Sequence, residues 1–305
     1  MTTYAYYPGC SLTESAKEFD VSTRLVMERL GADVREIDGW TCCGASAVES
    51  VSSTLTHALP ARNIALAQRQ MPEADILVPC SACYLNHLRV EKDVMPDRAT
   101  LSGVNDLLGA EGLSLAATGG RVRHILDVLV NDIGVQRLRE SITKPLGGVV
   151  VAPYYGCQIV RPHADFDNPE RPRSMEPLLA ALGAEVLQWD MGARCCGASL
   201  MATRQDAALV SVGRILDAAH GADVIVTVCP MCQMNLEAYQ AQAIRGGHAR
   251  QGRPVVYLTQ LLGLGMGFSE EEMLLGRNMA PKGSYAERAQ TPAAGAEDAV
   301  EPGNT

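Results

Sequence analysis

Apolar and polar positions along the chain follow two rhythms in turn. A short apolar run, TYAYY at 3–7, precedes AKEFDVSTRLVMERL at 16–30, where apolar residues recur at three- and four-residue spacing. The first reads as a strand and the second as an amphipathic helix. Gly31 stands where a left-handed helix C-cap is expected. DVREI at 33–37 predicts a second strand, ALPARNIALAQRQ at 58–70 a second helix, and ADILVP at 74–79 a third strand. The same rhythm then returns. GVVVAPYY (148–155), SMEPLLAAL (174–182, closing on Gly183), EVLQW (185–189), QDAALVSVGRILDAAH (205–220) and ADVIVTV (222–228) repeat the order. Strands alternating with helices predict an α/β fold: two homologous βαβαβ-like halves, each a small parallel sheet with covering helices.

The repetition extends to the letters. GADVREIDGWTCCGAS (31–46) resembles GAEVLQWDMGARCCGAS (183–199), and ADILVPCSACYLN (74–86) resembles ADVIVTVCPMCQMN (222–235). YYPGCSL (6–12) resembles YYGCQI (154–159), so three blocks recur in one order at an offset of about 150 residues. The expected organisation is a first half at 1–95, a helical insertion at 96–146 and a second half at 147–245. A C-terminal helical segment at 246–282 follows, then a small, polar, Pro/Gly-rich tail at 283–305 that reads as disordered.

All ten cysteines fall inside the repeated blocks. The first half has Cys10, Cys42, Cys43, Cys80 and Cys83, spaced C-x31-CC-x36-C-x2-C; the second has Cys157, Cys195, Cys196, Cys229 and Cys232, spaced C-x37-CC-x32-C-x2-C. Each cysteine segment directly follows a predicted strand. In a parallel sheet those strand ends share one edge, where ligands usually bind, so each half is expected to gather five thiols. A zinc ion takes four thiolates and leaves one idle per half. A disulfide framework wants an oxidising compartment. An ordinary four-iron cubane also needs only four thiolates. Five invite a larger or more open iron–sulfur group, in which adjacent Cys42 and Cys43 could each hold a different iron.

Composition narrows the function classes. The chain has 305 residues, is 47% hydrophobic and carries a net charge of −9, which argues against a broad nucleic-acid or anionic-membrane surface. Three Phe and two Trp argue against a single-strand stacking platform. No apolar run approaches the ~20 residues of a membrane span, and MTTYAYYPGC lacks a signal-peptide pattern. The expectation is a cytoplasmic protein whose thiols stay reduced. Neither a Walker A motif nor a dinucleotide-binding glycine fingerprint is present. Lysine occurs only at positions 17, 92, 144 and 282, beside 22 arginines, which suggests a GC-rich bacterial source.

With its YYPGC and CCGA signatures, the C-x31-CC-x36-C-x2-C pattern resembles the CCG domain, and the double copy over about residues 4–270 resembles the B-subunit family of heterodisulfide reductase. The resemblance implies two non-cubane [4Fe-4S] clusters, with Cys10, Cys42, Cys43, Cys80 and Cys83 as ligands of one. Cys157, Cys195, Cys196, Cys229 and Cys232 would ligate the other. It implies disulfide chemistry between the clusters, with Cys10, Cys42, Cys43, Cys157, Cys195 and Cys196 as the catalytic set. The partners it implies are two further members of such a complex, one ferredoxin-like and one flavin-bearing. The bacterial composition favours the heterodisulfide-reductase-like type of sulfur-oxidising bacteria, whose substrate sulfur rides on a lipoate-binding protein. Electron transfer in a CCG-containing glycolate, lactate or succinate dehydrogenase is the alternative, as is a zinc-bound scaffold. Gln158 stands where many relatives of that type carry His. Arg161 and His163 lie close enough in sequence to Cys157 to face a substrate. Tyr7 and Tyr155 flank the first cysteines, and His87 is expected to be structural.

Overall fold

The computed structural model describes residues 2–45 and 47–280; the tail expected at 283–305 lies outside them. Among these residues, eight strands form two four-stranded sheets in which every neighbouring pair is parallel. Strands β1 (Thr3–Tyr6), β2 (Asp33–Glu36), β3 (Ile76–Val78) and β4 (Val122–His124) are ordered β2-β1-β3-β4. Strands β5 (Val150–Tyr154), β6 (Glu185–Val186), β7 (Val224–Thr227) and β8 (Val255–Tyr257) repeat that order as β6-β5-β7-β8. In both sheets the chain runs outward from the first strand and returns on its other side. The crevice at that reversal, beyond the strand C-termini, is the usual ligand position of open α/β sheets.

The segments expected to be helical are not wholly so. Residues 96–146 contain helices Arg98–Leu108 and Val135–Ser141, but between them β4 pairs Val122 with Ile76 and His124 with Val78. Likewise β8 lies within 246–282 and pairs Val255 with Ile225. Both are three-residue strands running straight into a helix, so their apolar residues merge with the helical pattern.

Each half lends a helix to the other. Helix Leu258–Gly265, after β8, packs on helix Lys17–Arg29 of the first half, and Val135–Ser141 packs on Met175–Ala181 of the second. At the first junction Ser22 and Thr259 hydroxyls are 2.7 Å apart, and the Phe19 and Tyr257 rings stack at 4.2 Å. The core follows suit. Val151, Val226 and Val256 of the second sheet join one large cluster with Tyr4, Phe19 and Leu77 of the first. The alternate residues Ala152, Ile225 and Val255 form a smaller cluster on the opposite face.

Candidate functional site

Cys10 sits in the short helix Gly9–Thr13 just after β1. Cys80 is the N-cap of helix Ser81–Arg89, and Cys229 that of Pro230–Ala238, with Pro230 in its first turn. Cys83 and Cys232 therefore lie in first turns, and the free N–H groups of Met231 and Cys232 favour the thiolate of the N-cap Cys229. The Cys-Cys-Gly loops follow β2 and β6. There Gly44 N–H reaches Cys42 Sγ at 3.4 Å, Ala45 N–H reaches Cys43 Sγ at 3.4 Å, and Gly197 N–H reaches Cys195 Sγ at 3.3 Å.

The thiols form a nearly continuous line. Cys10 and Cys42 are 3.8 Å apart, Cys42 hydrogen-bonds Cys43, and Cys43 meets Cys83 at 3.3 Å. Cys83 interacts with Cys80, and Cys80 with Cys229 of the other half. Cys229 pairs with Cys232, which meets Cys196 at 3.7 Å, while Cys195 pairs with Cys157. Cys43, Cys80, Cys83, Cys196, Cys229 and Cys232 are buried; Cys10, Cys42 and Cys195 are exposed and Cys157 lies between. The line is thus dry where the halves meet and open at its two ends.

The thiols along it differ in how readily they lose a proton. Hydrogen bonds from Cys42 and Cys83 hold Cys43 well below the usual thiol value, and Cys42 is pushed up by the same bond. Cys229 is held low by Cys232 and Cys80, both of which are raised. Cys195 falls to about 6, first through its hydrogen bond with Cys157, then through Gly197 N–H and the Arg161 guanidinium.

Two matching clamps hold the Cys-Cys loops. Tyr7 donates its hydroxyl to Thr41 O at 2.8 Å, and Tyr154 donates to Arg194 O at 2.6 Å, in each case the carbonyl just before Cys-Cys. The equivalent pair is therefore Tyr7 and Tyr154, because Pro8 shifts the alignment; Tyr155 instead donates to Glu176. The second clamp escapes sequence reasoning. Asn86 Nδ2 donates to Cys43 O (3.1 Å) and Ala45 O (2.9 Å), and Asn235 Nδ2 donates to Cys196 O at 2.8 Å. Its signal is the Asn three residues after each Cys-x-x-Cys.

The glycines divide their work. Gly44 (φ +84°) and Gly197 (φ +82°) adopt left-handed backbone, and an added Cβ would meet Val48 Cγ1 at 2.5 Å or Ala208 Cα at 2.9 Å. The close approach to sulfur occurs instead at Gly9 and Gly156, where a Cβ would stand 3.0 Å from Cys83 Sγ or Cys232 Sγ.

His87 is fully buried, with Nδ1 donating to Cys83 O at 2.7 Å and its ring 4.4 Å from Tyr7. Its Nε2 has no hydrogen-bond partner. Arg161 is a strut: its guanidinium donates to Pro169 O at 2.8 Å and to Ala193 O. His163 lies 3.7 Å from Asp93 of the first half, and Gln158 is half-buried beside Cys157. His124, at the end of β4, carries no sequence signal of its role; its Nε2 is 3.3 Å from Ser81 Oγ, which also donates to Val228 O. It links the two Cys-x-x-Cys turns.

Two parallel α/β units that present ten thiols along their joined edges define a duplicated cysteine-rich redox-type fold. The cysteine-rich domain model (CCG) matches residues 4–87 and 151–237, and the chain belongs to that family. It is 34% identical over 280 residues to the 8-methylmenaquinol:fumarate reductase membrane anchor subunit of Wolinella succinogenes, covering 90% of this chain and 96% of that one. It is 29% identical to the B subunit of the ferredoxin:CoB-CoM heterodisulfide reductase of Methanosarcina mazei, covering 91% and 94%. A protein of Archaeoglobus profundus, described as like the heterodisulfide reductase B subunit, is 28% identical over 90% and 93%. A hypothetical protein from Helicobacter pylori shares the fold at TM-score 0.72 and 14% identity, covering 91% of this chain and 52% of that chain. Among the described residues no helix is long and apolar enough to cross a membrane.

Proposed function

We propose that this chain is the iron–sulfur subunit of a larger oxidoreductase complex and carries two non-cubane [4Fe-4S] clusters, one per half. Cys10, Cys42, Cys43, Cys80 and Cys83 would hold the first, and Cys157, Cys195, Cys196, Cys229 and Cys232 the second. The single observation that carries this reading is the line of sulfurs joined through Cys80 and Cys229. It spreads the donors over several positions instead of around one ion, which suits a multi-iron group better than zinc. The Nε2 of buried His87, beside Cys43 and Cys83, has no partner among the described residues, as expected where a further group is to be received.

Bound clusters would supply one-electron steps at each end of the line. The residues of the chain do the rest. Buried thiolates keep water out where the halves meet, and the Tyr and Asn clamps fix the Cys-Cys loops. The exposed ends at Cys10, Cys42, Cys157 and Cys195 admit a substrate, with Cys43 and Cys196 behind them. The substrate on this reading is a disulfide or a protein- or lipoate-bound sulfur, cleaved with two electrons and two protons. A ferredoxin-like protein and a flavin-bearing protein of the same complex would deliver or receive the electrons in the cytoplasm. The relatives named for heterodisulfide reductase support this class of chemistry. The 34% identity to a fumarate reductase subunit favours a second reading, electron transfer within a succinate- or fumarate-type complex.

Anaerobically purified chain is expected to contain roughly eight irons with matching acid-labile sulfide; two zincs without sulfide would overturn the reading. The holoprotein, reduced with a viologen dye, should then be offered a mixed disulfide and, separately, a quinone. Reoxidation by the disulfide supports the sulfur chemistry, and reoxidation by the quinone alone supports the second reading.

A further inference from the structure

The two halves differ where the outer strand runs into the Cys-Cys loop. In the first half this place is a shallow cleft of about 300 Å³ lined by Glu36, Asp38 and Trp40. It is acidic, and its groups are engaged: Trp40 Nε1 donates to Glu36 at 3.0 Å, and Arg24 pairs with Glu36 at 2.5 Å. In the second half the corresponding stretch, 187–194, walls a cleft of about 820 Å³ whose lining includes Arg171, Arg173, Arg194 and Trp189. Duplication therefore left one position charged by acids alone and the other by three arginines set among three acids.

The larger cleft is a built feature. Its far wall belongs to the segment between Cys157 and helix Met175–Ala181, which is much longer than the link from Cys10 to helix Lys17–Arg29. Asp167 holds that segment, accepting from Arg173 N at 3.0 Å, Ser174 N at 2.8 Å and the Ser174 hydroxyl. Arg161 ties it to the Cys-Cys loop at Ala193 O, and Asp165 ties it to Lys92 of the first half at 2.9 Å. Trp189 is fixed as well, its Nε1 donating to Pro153 O at 3.0 Å.

Among the described residues, none of the Arg171, Arg173 and Arg194 guanidiniums closes a salt bridge or a side-chain hydrogen bond. Two of the three acids on the wall are committed: Glu176 receives the Tyr155 hydroxyl, and Glu170 faces Arg161 at 3.4 Å. Glu176 still faces Arg173, and Asp190 is the acid on the wall that accepts no such contact. Three exposed guanidiniums without a hydrogen-bonded partner, beside an indole, form a recognition surface for carboxylate or phosphate attached to an apolar body. The volume falls in the range of small-molecule sites.

We propose that this cleft binds a small organic anion, its carboxylate or phosphate groups on Arg171, Arg173 and Arg194 and its apolar part against Trp189. Arg194 immediately precedes Cys195, so the bound anion lies beside the open end of the second cysteine set. The proposal stands on the cleft alone and fails or survives independently of what the cysteines hold.

Isothermal titration of the anaerobically purified full chain, with citrate and pyrophosphate as separate probes, tests it. Saturable binding of either is expected, and the better probe assigns the headgroup. Arg171→Gln/Arg173→Gln should weaken binding at least ~10-fold, as should Arg194→Gln. Arg204→Gln, which removes an exposed guanidinium paired with Asp206 outside the cleft, should leave it unchanged. Asp190→Asn should tighten binding roughly threefold by removing an opposing charge, a gain that misfolding cannot mimic. Absence of saturable heat with both probes overturns the proposal. So does a double variant with parental affinity, or an Arg204→Gln variant weakened as much as the cleft variants.

Discussion

Asn86 is the most informative single position, because one buried amide holds a Cys-Cys loop that the rest of the site depends on. Its side chain is 2% exposed, and its two N–H groups serve Cys43 O at 3.1 Å and Ala45 O at 2.9 Å. Asn86→Ala removes two neutral hydrogen bonds and strands both carbonyls away from water. Each bond contributes about 1 kcal/mol net, and stranding the carbonyls adds to that, so the loss should be about 3 kcal/mol. At roughly 2–4 °C per kcal/mol the melting temperature should fall by about 6–12 °C. Asn235 makes one such bond, to Cys196 O at 2.8 Å, so Asn235→Ala should cost about half as much. The assay is thermal unfolding of both variants by circular dichroism at one pH and scan rate, with iron and sulfide content measured alongside. On the two-cluster proposal, iron should drop by about half in Asn86→Ala, because only the first half loses its loop. If Asn86→Ala melts with the parent, or Asn235→Ala proves the more damaging, the clamp is not what holds these loops.

Gly156→Ala should cost about 1–2 kcal/mol for its left-handed backbone, at φ +73°, and should also displace Cys232 Sγ. Gly103→Ala, with open space around its Cβ, should be neutral or stabilising; equal melting losses in the two would refute the steric argument. Phe19→Ala should destabilise the whole described chain by about 4 kcal/mol, since the ring stacks on Tyr257 of the other half. Limited proteolysis should then cleave both halves together, and survival of an intact second half would contradict the shared core. Glu237 titrates at about 7, raised chiefly by desolvation against the lowering of Met279 and Ala280 N–H. A raised carboxyl favours folding when protonated, so its contribution is full below about 4.5 and is lost as pH rises through 7. The slope is worth on the order of 3 kcal/mol. Glu237→Gln should flatten denaturant midpoints between pH 5 and 8, and an unchanged slope would remove Glu237 as its source.

Much of this architecture is written in local pattern. The five-thiol spacing and the strand–helix rhythm of 3–95 and 148–235 appear in the letters, because each element is long enough to show its own period. Strands β4 and β8 do not appear there, for a three-residue strand followed at once by a helix has no period of its own. Nor does the division among the glycines. The contacts with Val48 and Ala208 that require glycine at Gly44 and Gly197 join residues the Cys-Cys-Gly letters do not link. Arg161 stands near Cys157 in sequence and is a backbone strut in space.

By itself the sequence determined which side chains would stand at the ends of parallel strands, since a strand's direction and the residue that follows it are properties of one continuous segment. Only the tertiary structure decided that Cys80 lies against Cys229, that each half borrows a helix from the other, and that one of two duplicated clefts gathers three arginines while the other is lined by acid. These relations join residues far apart along the chain. They are set by how two sheets pack across a common core, and no local pattern of hydrophobic and polar positions encodes that packing.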